Sequence, residues 1–348
     1  MKHNVGIITV IYSTNCGSVL QALAMQDAYS KLGCNVSFIS TINKLSALSY
    51  KKEFKDVIKA LVSRSSPGAV IKRYRDSRQF IREHFHIVDP SGAERFDLLS
   101  IGSDTVWDVT SPYFLESQDV FWGLPWDGSK IVTYAASIAN SPYETLDSLK
   151  YPCESIKKYA NISVRDDYSF EYITSRTDRV PCKVCDPTLL KDRSFYQGFC
   201  RSMEEAGTYL LLYLFDTPSA AVVDEIKQYA ADNSLKIVSL GRRMPFADMH
   251  YESTVVSFLS CFNGASAVVT NTFHGTVFSL IFHKRFVVLD YQKKKIENLL
   301  HDLALDQRIV GAGIEAVLNE DIDYTSVESK FSELRASSIG YLEKCVQD

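Results

Sequence analysis

Four places in the chain put polar or charged side chains directly after a run of β-branched and apolar residues. Gly102-Ser103-Asp104-Thr105-Val106-Trp107 follows a run ending at Ile101 and offers a hydroxyl and a carboxylate. Arg165-Asp166-Asp167 follows Val164, and Arg242 and Arg243 follow Gly241. Asn271-Thr272-Phe273-His274-Gly275 separates a strand expected to end at Thr270 from a helix expected to start near Gly275, which puts His274 at a helix N-terminus. Backbone N–H groups at such an end attract phosphate or carboxylate, and an imidazole adds a proton or a hydrogen bond. Guanidinium groups suit anion binding, while a carboxylate with an imidazole suits acid–base chemistry. Each also has a structural reading: Asp104 as a turn cap, Arg165 as a partner of Asp166 or Asp186, His274 as a satisfied core histidine. The loop Ser13-Thr14-Asn15-Cys16-Gly17-Ser18 also precedes a helix. It lacks the spacing of a dinucleotide fingerprint or a Walker loop, which disfavours a nicotinamide cofactor and ATP hydrolysis.

The elements that position these residues alternate. Val5 to Ile11 reads as a strand, and Leu20, Leu23, Ala24, Ala28 and Leu32 recur at helical spacing until Gly33. Asn35 to Ile42 reads as the next strand, followed by strands at Phe96 to Ile101, Lys130 to Ala136 and Asn161 to Val164. After a polar stretch near Arg201 to Gly207 the rhythm restarts with a strand at Tyr209 to Phe215, a helix at Ser219 to Ala231 and a strand at Lys236 to Leu240. A helix at Val255 to Asn263, strand Ala267 to Thr270, helix Gly275 to Phe282 and strand Phe286 to Leu289 complete it. Such alternation predicts parallel sheets with right-handed crossovers. The expected fold is α/β, with two Rossmann-like domains whose strand ends face a cleft: residues 1–200 and 201–322, with a helix in 323–348 crossing back to the first.

The 348 residues, 46% of them apolar, suffice for two cores, and a net charge of −4 argues against nucleic acid as a partner. Eight cysteines scattered through the chain fit a reducing compartment, and the lone pair Cys182 and Cys185 supplies two of the four ligands of a structural zinc. Two buried thiols beside a strand are the simpler reading of that pair. Lys2, the apolar run Val5 to Tyr12 and Ala22-Leu23-Ala24 mimic a signal peptide, but the run breaks at Ser13 before helical periodicity begins. No stretch reaches the roughly 18 apolar residues of a membrane span, so a soluble, cytoplasmic protein is expected. Residues 51–85 interrupt the alternation as a basic helical insertion: Lys51 to Arg82 holds ten basic residues against Glu53, Asp56 and Asp76. It reads either as a solvated helix face or as a patch for anionic lipid, giving peripheral contact at the inner face of a membrane.

Six motifs in register carry a resemblance. Asn15-Cys16-Gly17 with Leu20-Gln21-Ala22, Gly102-Ser103-Asp104-x-Val106-Trp107, Tyr134-Ala135-Ala136-Ser137, Ile162-Ser163-Val164-Arg165-Asp166, Asp186-Pro187-Thr188-Leu189-Leu190 and Phe273-His274-Gly275-Thr276 resemble the polysaccharide pyruvyl transferase family over roughly residues 5 to 290. The resemblance implies a GT-B-like fold and transfer of pyruvate from phosphoenolpyruvate onto a sugar hydroxyl pair as a ketal, in exopolysaccharide or cell-surface glycan biosynthesis. The acceptor would be a sugar or a lipid-linked oligosaccharide, with no metal and no cofactor beyond the donor. It casts His274 as donor-site acid or phosphate ligand, Arg165 as an anion clamp and Asp104 as an acceptor-side base or hydrogen-bonder. Arg242, Arg243, Asn271, Thr272 and Gly275 join the donor site, and Asn15, Gln21, Ser103 and Trp107 the acceptor site. Some members carry Arg-Leu-His where this chain has Thr272-Phe273-His274, so Arg242, Arg243 or Arg165 must supply the cation. Many relatives also have Asp and Ser at Asn271 and Thr272, and a glycine near Ala139. The alternatives are a GT-B-like glycosyltransferase using a nucleotide sugar and a non-catalytic glycan-binding paralogue.

Overall fold

The structure is a computed structural model that describes residues 2–13, 15–40, 53–58, 67–89, 96–111, 118–126, 128–289 and 294–347. Thr14 of the first loop, the end of the expected strand at Ile42, and Lys51, Lys52, Lys59 and Arg64 of the basic segment lie outside these residues. The chain divides into two units, Met1–Leu190 with Glu333–Asp348, and Lys191–Ser332.

The first unit is built on strands β1 (Asn4–Ile8), β2 (Asn35–Ile39), β3 (Ile87–Val88), β4 (Leu98–Ile101) and β5 (Ile131–Thr133), in the order β3-β2-β1-β4-β5. Every pairing is parallel, with Gly6 of β1 opposite Ser37 of β2 and Leu99 of β4. All four residues of β4 and all three of β5 are buried, as strands covered on both faces require. Helix α1 (Cys16–Lys31) follows β1, with Asn15 as its N-cap; twelve of its residues are buried, Ser18 and Gln21 among them. Helix α2 (Pro67–His84) lies in the basic segment and buries only Tyr74, Ser77, Phe80 and Ile81.

The expected strand Asn161 to Val164 is shorter in the structure and does not join the five-stranded ladder. Its last two residues form β6 (Ser163–Val164), paired with β7 (Cys182–Lys183), and it meets the β5 side through isolated bridges at Val132–Asn161 and Ala136–Val164 and through side-chain hydrogen bonds between Thr133 and Ser163. The physical reason lies at Ala135, whose φ of 53° turns the chain out of extended geometry just past β5. Helix α3 (Asp167–Arg176) follows β6, capped by the Asp166 carboxylate, which accepts from Ser169 N at 2.8 Å. Of the two paired thiols, Cys185 is buried but Cys182 is exposed.

The second unit has strands β8 (Tyr209–Tyr213), β9 (Lys236–Leu240), β10 (Met249–Tyr251), β11 (Ala267–Thr270), β12 (Arg285–Leu289) and β13 (Ile309–Val310), all parallel, in the order β10-β9-β8-β11-β12-β13. Numbered within the unit this is 3-2-1-4-5-6, the doubly wound dinucleotide-fold order, with its topological switch between β8 and β11. In the first unit the equivalent switch lies between β1 and β4. Helices α4 (Ala220–Asp232), α5 (Val255–Gly264), α6 (Phe273–Ile281) and α7 (Lys294–Asp302) follow their strands. Leu210, Leu212, Ile226, Val269, Val287 and Leu318 belong to the core of this unit.

Helix α8 (Tyr324–Gln347) is divided between the units at 332/333. Its first-unit part is anchored by polar contacts: Tyr341 Oη donates to Thr133 O at 2.8 Å, Lys130 Nζ to Cys345 O at 2.9 Å and Arg335 Nε to Leu189 O at 2.7 Å. None of the described helices is long and apolar enough to cross a membrane.

Candidate active-site clusters at two switch points

In the first unit the loops after β1 and β4 meet through side chains far apart in sequence. Ser18 Oγ donates to Asp104 Oδ2 at 2.6 Å, Thr9 Oγ1 to Ser103 O at 2.9 Å, and Gln21 Nε2 to both Thr9 Oγ1 and Ser18 O. Asp104 adopts φ 82°, a left-handed conformation that Asp tolerates better than most residues, and its Oδ1 accepts from Thr105 N. Ala135 and Ala139, in the next loop, have φ of 53° and 55°. Three non-glycine residues held there within two adjacent loops mark a place where the surroundings over-determine the backbone. Ala139 stands where a glycine would sit without strain. Gly102 has no substitute, since a Cβ on it would meet Tyr134 O at 2.4 Å.

Arg165 projects from the end of β6 into this cluster. Its guanidinium donates to Asp186 Oδ2 at 2.7 Å and lies 3.6 Å from Asp104 Oδ1. Asp186 is fixed in turn by Thr188, whose N–H and hydroxyl both donate to Oδ1. Burial alone would lower the Arg165 pKa, but Asp186, Asp104 and Asp166 outweigh it and raise it. Arg165 is therefore a permanent cation that already faces two carboxylates. As a free anion clamp it is poorly placed, because an incoming phosphate would meet Asp104 and Asp186 as well. Its geometry instead orients Asp104.

Two residues expected at an acceptor site do other work. Trp107 is fully buried, its Nε1 donates to Phe121 O, and its ring stacks on Trp122 with centroids 4.6 Å apart. The expectation that it touches a sugar is corrected: strand-end position put it near Asp104, but core packing claims the indole. Asn15 caps α1 by accepting from Gly17 N. Gln21 is buried beneath the cluster, and its Oε1 has no hydrogen-bond partner among the described residues.

In the second unit Asn271 joins the two strands of the switch, its Oδ1 accepting from Phe215 N at 2.9 Å. Arg242 reaches the same loop, donating to Phe215 O at 3.1 Å and Thr217 Oγ1 at 3.2 Å. Arg243 is exposed beside it. Thr272 is the N-cap of α6, its hydroxyl accepting from Gly275 N at 2.9 Å, while Thr270 Oγ1 donates to Tyr213 O. The Thr272 hydroxyl is thus engaged in capping. His274 lies in the first turn, its ring edge-on to Phe273 at 5.4 Å, and Lys295 of α7 stands over Phe273 with its Nζ 5.8 Å from the ring centroid. Lys295 is the residue that sequence reasoning missed. It brings a cation beside the first residue of α6, and nothing in its lysine-rich surroundings distinguishes it in the sequence.

Gly275 is required by packing. A Cβ there would lie 2.1 Å from Thr270 Oγ1 and 2.6 Å from Thr272 Oγ1, so the hydroxyl network or the backbone must give way. Gly275→Ala is expected to cost about 1–3 kcal/mol, the range of core overpacking, read as a lowered midpoint in urea unfolding. An unchanged midpoint would show that the α6 start is not packed this way.

A cavity of about 470 Å³ lies elsewhere in the first unit, lined by Trp122, Leu124, Trp126, Lys158 and Tyr159. Gly128 and Ser129, which precede β5, also line it, so it lies near the amino end of that strand, opposite the strand end that carries the Asp104 cluster.

The chain is α/β with two Rossmann-like units of GT-B-like type. It is similar in fold to a Listeria monocytogenes protein described as a UDP-N-acetylglucosamine 2-epimerase, at 9% identity and TM-score 0.54, covering 97% of this chain and 91% of that one. It is likewise similar to the glycotransferase of kitacinnamycin, at 12% identity and TM-score 0.51, covering 99% and 100%. No curated protein sequence matches it. The model of the polysaccharide pyruvyl transferase family matches residues 15–293, and the chain belongs to that family, a family of transferases.

Proposed function

We propose that the protein transfers pyruvate from phosphoenolpyruvate onto two hydroxyls of a sugar, forming a ketal. The observation that supports this reading is what the switch point of the second unit carries: Arg242 on the loop after β8, His274 in the first turn of α6, and Lys295 over the ring of the adjacent Phe273. Phosphoenolpyruvate brings a phosphate and a carboxylate, and cations with helix-end N–H groups are the groups that hold such a pair. His274 protonates the donor's methylene carbon, which leaves an oxocarbenium-like centre at C2. One sugar hydroxyl adds there, phosphate departs with the C–O bond electrons, and a second hydroxyl closes the ketal. Each hydroxyl must lose its proton to a base, and the carboxylate of Asp104, held within the first unit by Ser18 and Arg165, is the candidate the sequence offers.

The test is donor choice. Phosphate release from phosphoenolpyruvate that depends on an added glycan supports the reading. Turnover of a nucleotide sugar with none of phosphoenolpyruvate would replace it with glycosyl transfer, and turnover of neither across a broad glycan panel would favour a glycan-binding role.

A further inference from the structure

The insertion of the first unit carries a surface that the transfer chemistry does not use. Residues 53–58 are helical and lie beside α2, tied to it by Arg78 to Glu53 and by Arg73 and Tyr74 to Asp56, the last two at 3.2 and 2.8 Å. The pairings 53 with 78 and 56 with 73 make the two helices antiparallel. They also consume two of the three acids of the segment on the inner side, with Arg73 and Arg78 both within 6 Å of the Tyr74 ring.

What remains outside is basic and apolar. Phe54 is 68% exposed, Ile58 44% and Ile71 49%, three of the eight large hydrophobic side chains most exposed among the described residues. Phe54, Lys55 and Ile58 share one face of the short helix. Ile71, Lys72, Arg75, Gln79, Arg82 and Glu83 form the solvent stripe of α2, opposite buried Tyr74, Phe80 and Ile81. The remaining acids of the two described helices are Asp76, which lies 3.4 Å from Arg75, and Glu83, which accepts from Gln79. Against them stand Lys55, Lys72, Arg75 and Arg82, in a chain whose net charge is −4.

We propose that the exposed surface of this helix pair docks on an anionic phospholipid bilayer. Cations around exposed Phe and Ile side chains are what an interfacial surface needs, the apolar groups entering the acyl boundary and the cations meeting the headgroups. An exposed apolar patch in a soluble setting is otherwise a liability. The overall negative charge makes the attraction local, so the chain would approach lipid in one orientation, with this insertion leading. The proposal does not depend on the identity of the donor.

The experiment is co-sedimentation of the full chain with phosphatidylcholine vesicles, with and without phosphatidylglycerol. Binding is expected only with the anionic lipid and is expected to be lost in about 1 M salt, where the screening length is about 3 Å. Lys55→Gln/Lys72→Gln/Arg75→Gln should lower partitioning about a hundredfold, at about fivefold per cation. Phe54→Ser should lower it by about tenfold. These side chains are exposed, so unfolding midpoints should be unchanged, and glycan-dependent phosphate release on a soluble acceptor should survive. Equal binding to phosphatidylcholine alone, no binding to either vesicle, or triple-variant binding equal to wild type would each overturn the proposal. So would a concentration-dependent dimer that the same substitutions abolish while vesicle binding stays absent, which would assign the face to a second copy of the chain.

Discussion

His274→Ala is expected to lower turnover with phosphoenolpyruvate and a verified acceptor by about a hundredfold or more, the usual scale for removal of a general acid. The imidazole sits in the first turn of α6, where the helix end favours an anion and the ring can deliver a proton to it. His274→Gln separates the two contributions, because an amide still donates a hydrogen bond but is no acid near neutrality. Donor affinity restored without turnover identifies acid catalysis, and restoration of both identifies phosphate binding. Near-wild-type turnover in the alanine variant would leave His274 a packing residue beside Phe273.

The second large effect concerns the ion cluster of the first unit. Arg165→Met leaves Asp104 and Asp186 facing each other without their cation, and breaking a buried pair in this way typically costs about 3–5 kcal/mol. The loss is read as a lower urea midpoint at unchanged slope. Asp104→Asn is the complementary variant: it keeps one oxygen for Thr105 N and turns its amide NH2 to Ser18 Oγ, which can accept instead of donating, so stability should change little while turnover falls about a hundredfold. If Asp104 merely supports the loop, the asparagine variant keeps its activity. Arg165→Lys adds a finer distinction, since a rise in KM confined to the donor would return Arg165 to the role of anion clamp.

The sequence was most legible where packing enforces a simple pattern. Tyr209–Tyr213, Ala267–Thr270 and Arg285–Leu289 are strands covered on both sides, and their unbroken apolar runs announce them. Met249–Tyr251 and Ile309–Val310 are edge strands of three and two residues, too short to show any period, and they emerge only from pairing with β9 and β12. Ser163–Val164 was visible as a strand, but its detachment from the main ladder depends on the backbone of Ala135, which no side chain signals.

The same division holds at the sites. Asp104, Arg165, Asn271 and His274 could be picked out because each follows a strand. Their partners could not: the Ser18–Asp104 bond spans 86 residues and the Arg165–Asp186 pair 21, and such choices belong to tertiary structure. Trp107 shows the converse, since neighbouring positions in a loop can point one side chain toward solvent and the next into the core. Lys295 reaches Phe273 from a separate helix, so its relevance is purely spatial.

The most direct test of the transfer chemistry is to run the reaction in D2O with phosphoenolpyruvate and a purified acceptor glycan, and to read the product by mass spectrometry. Protonation of the donor methylene predicts a glycan that has gained one pyruvyl ketal whose methyl group carries a single deuterium, with one phosphate released per ketal formed. A pyruvylated product without that deuterium would contradict the proposed protonation step, and a glycan extended by a sugar, with phosphoenolpyruvate untouched, would contradict the account as a whole.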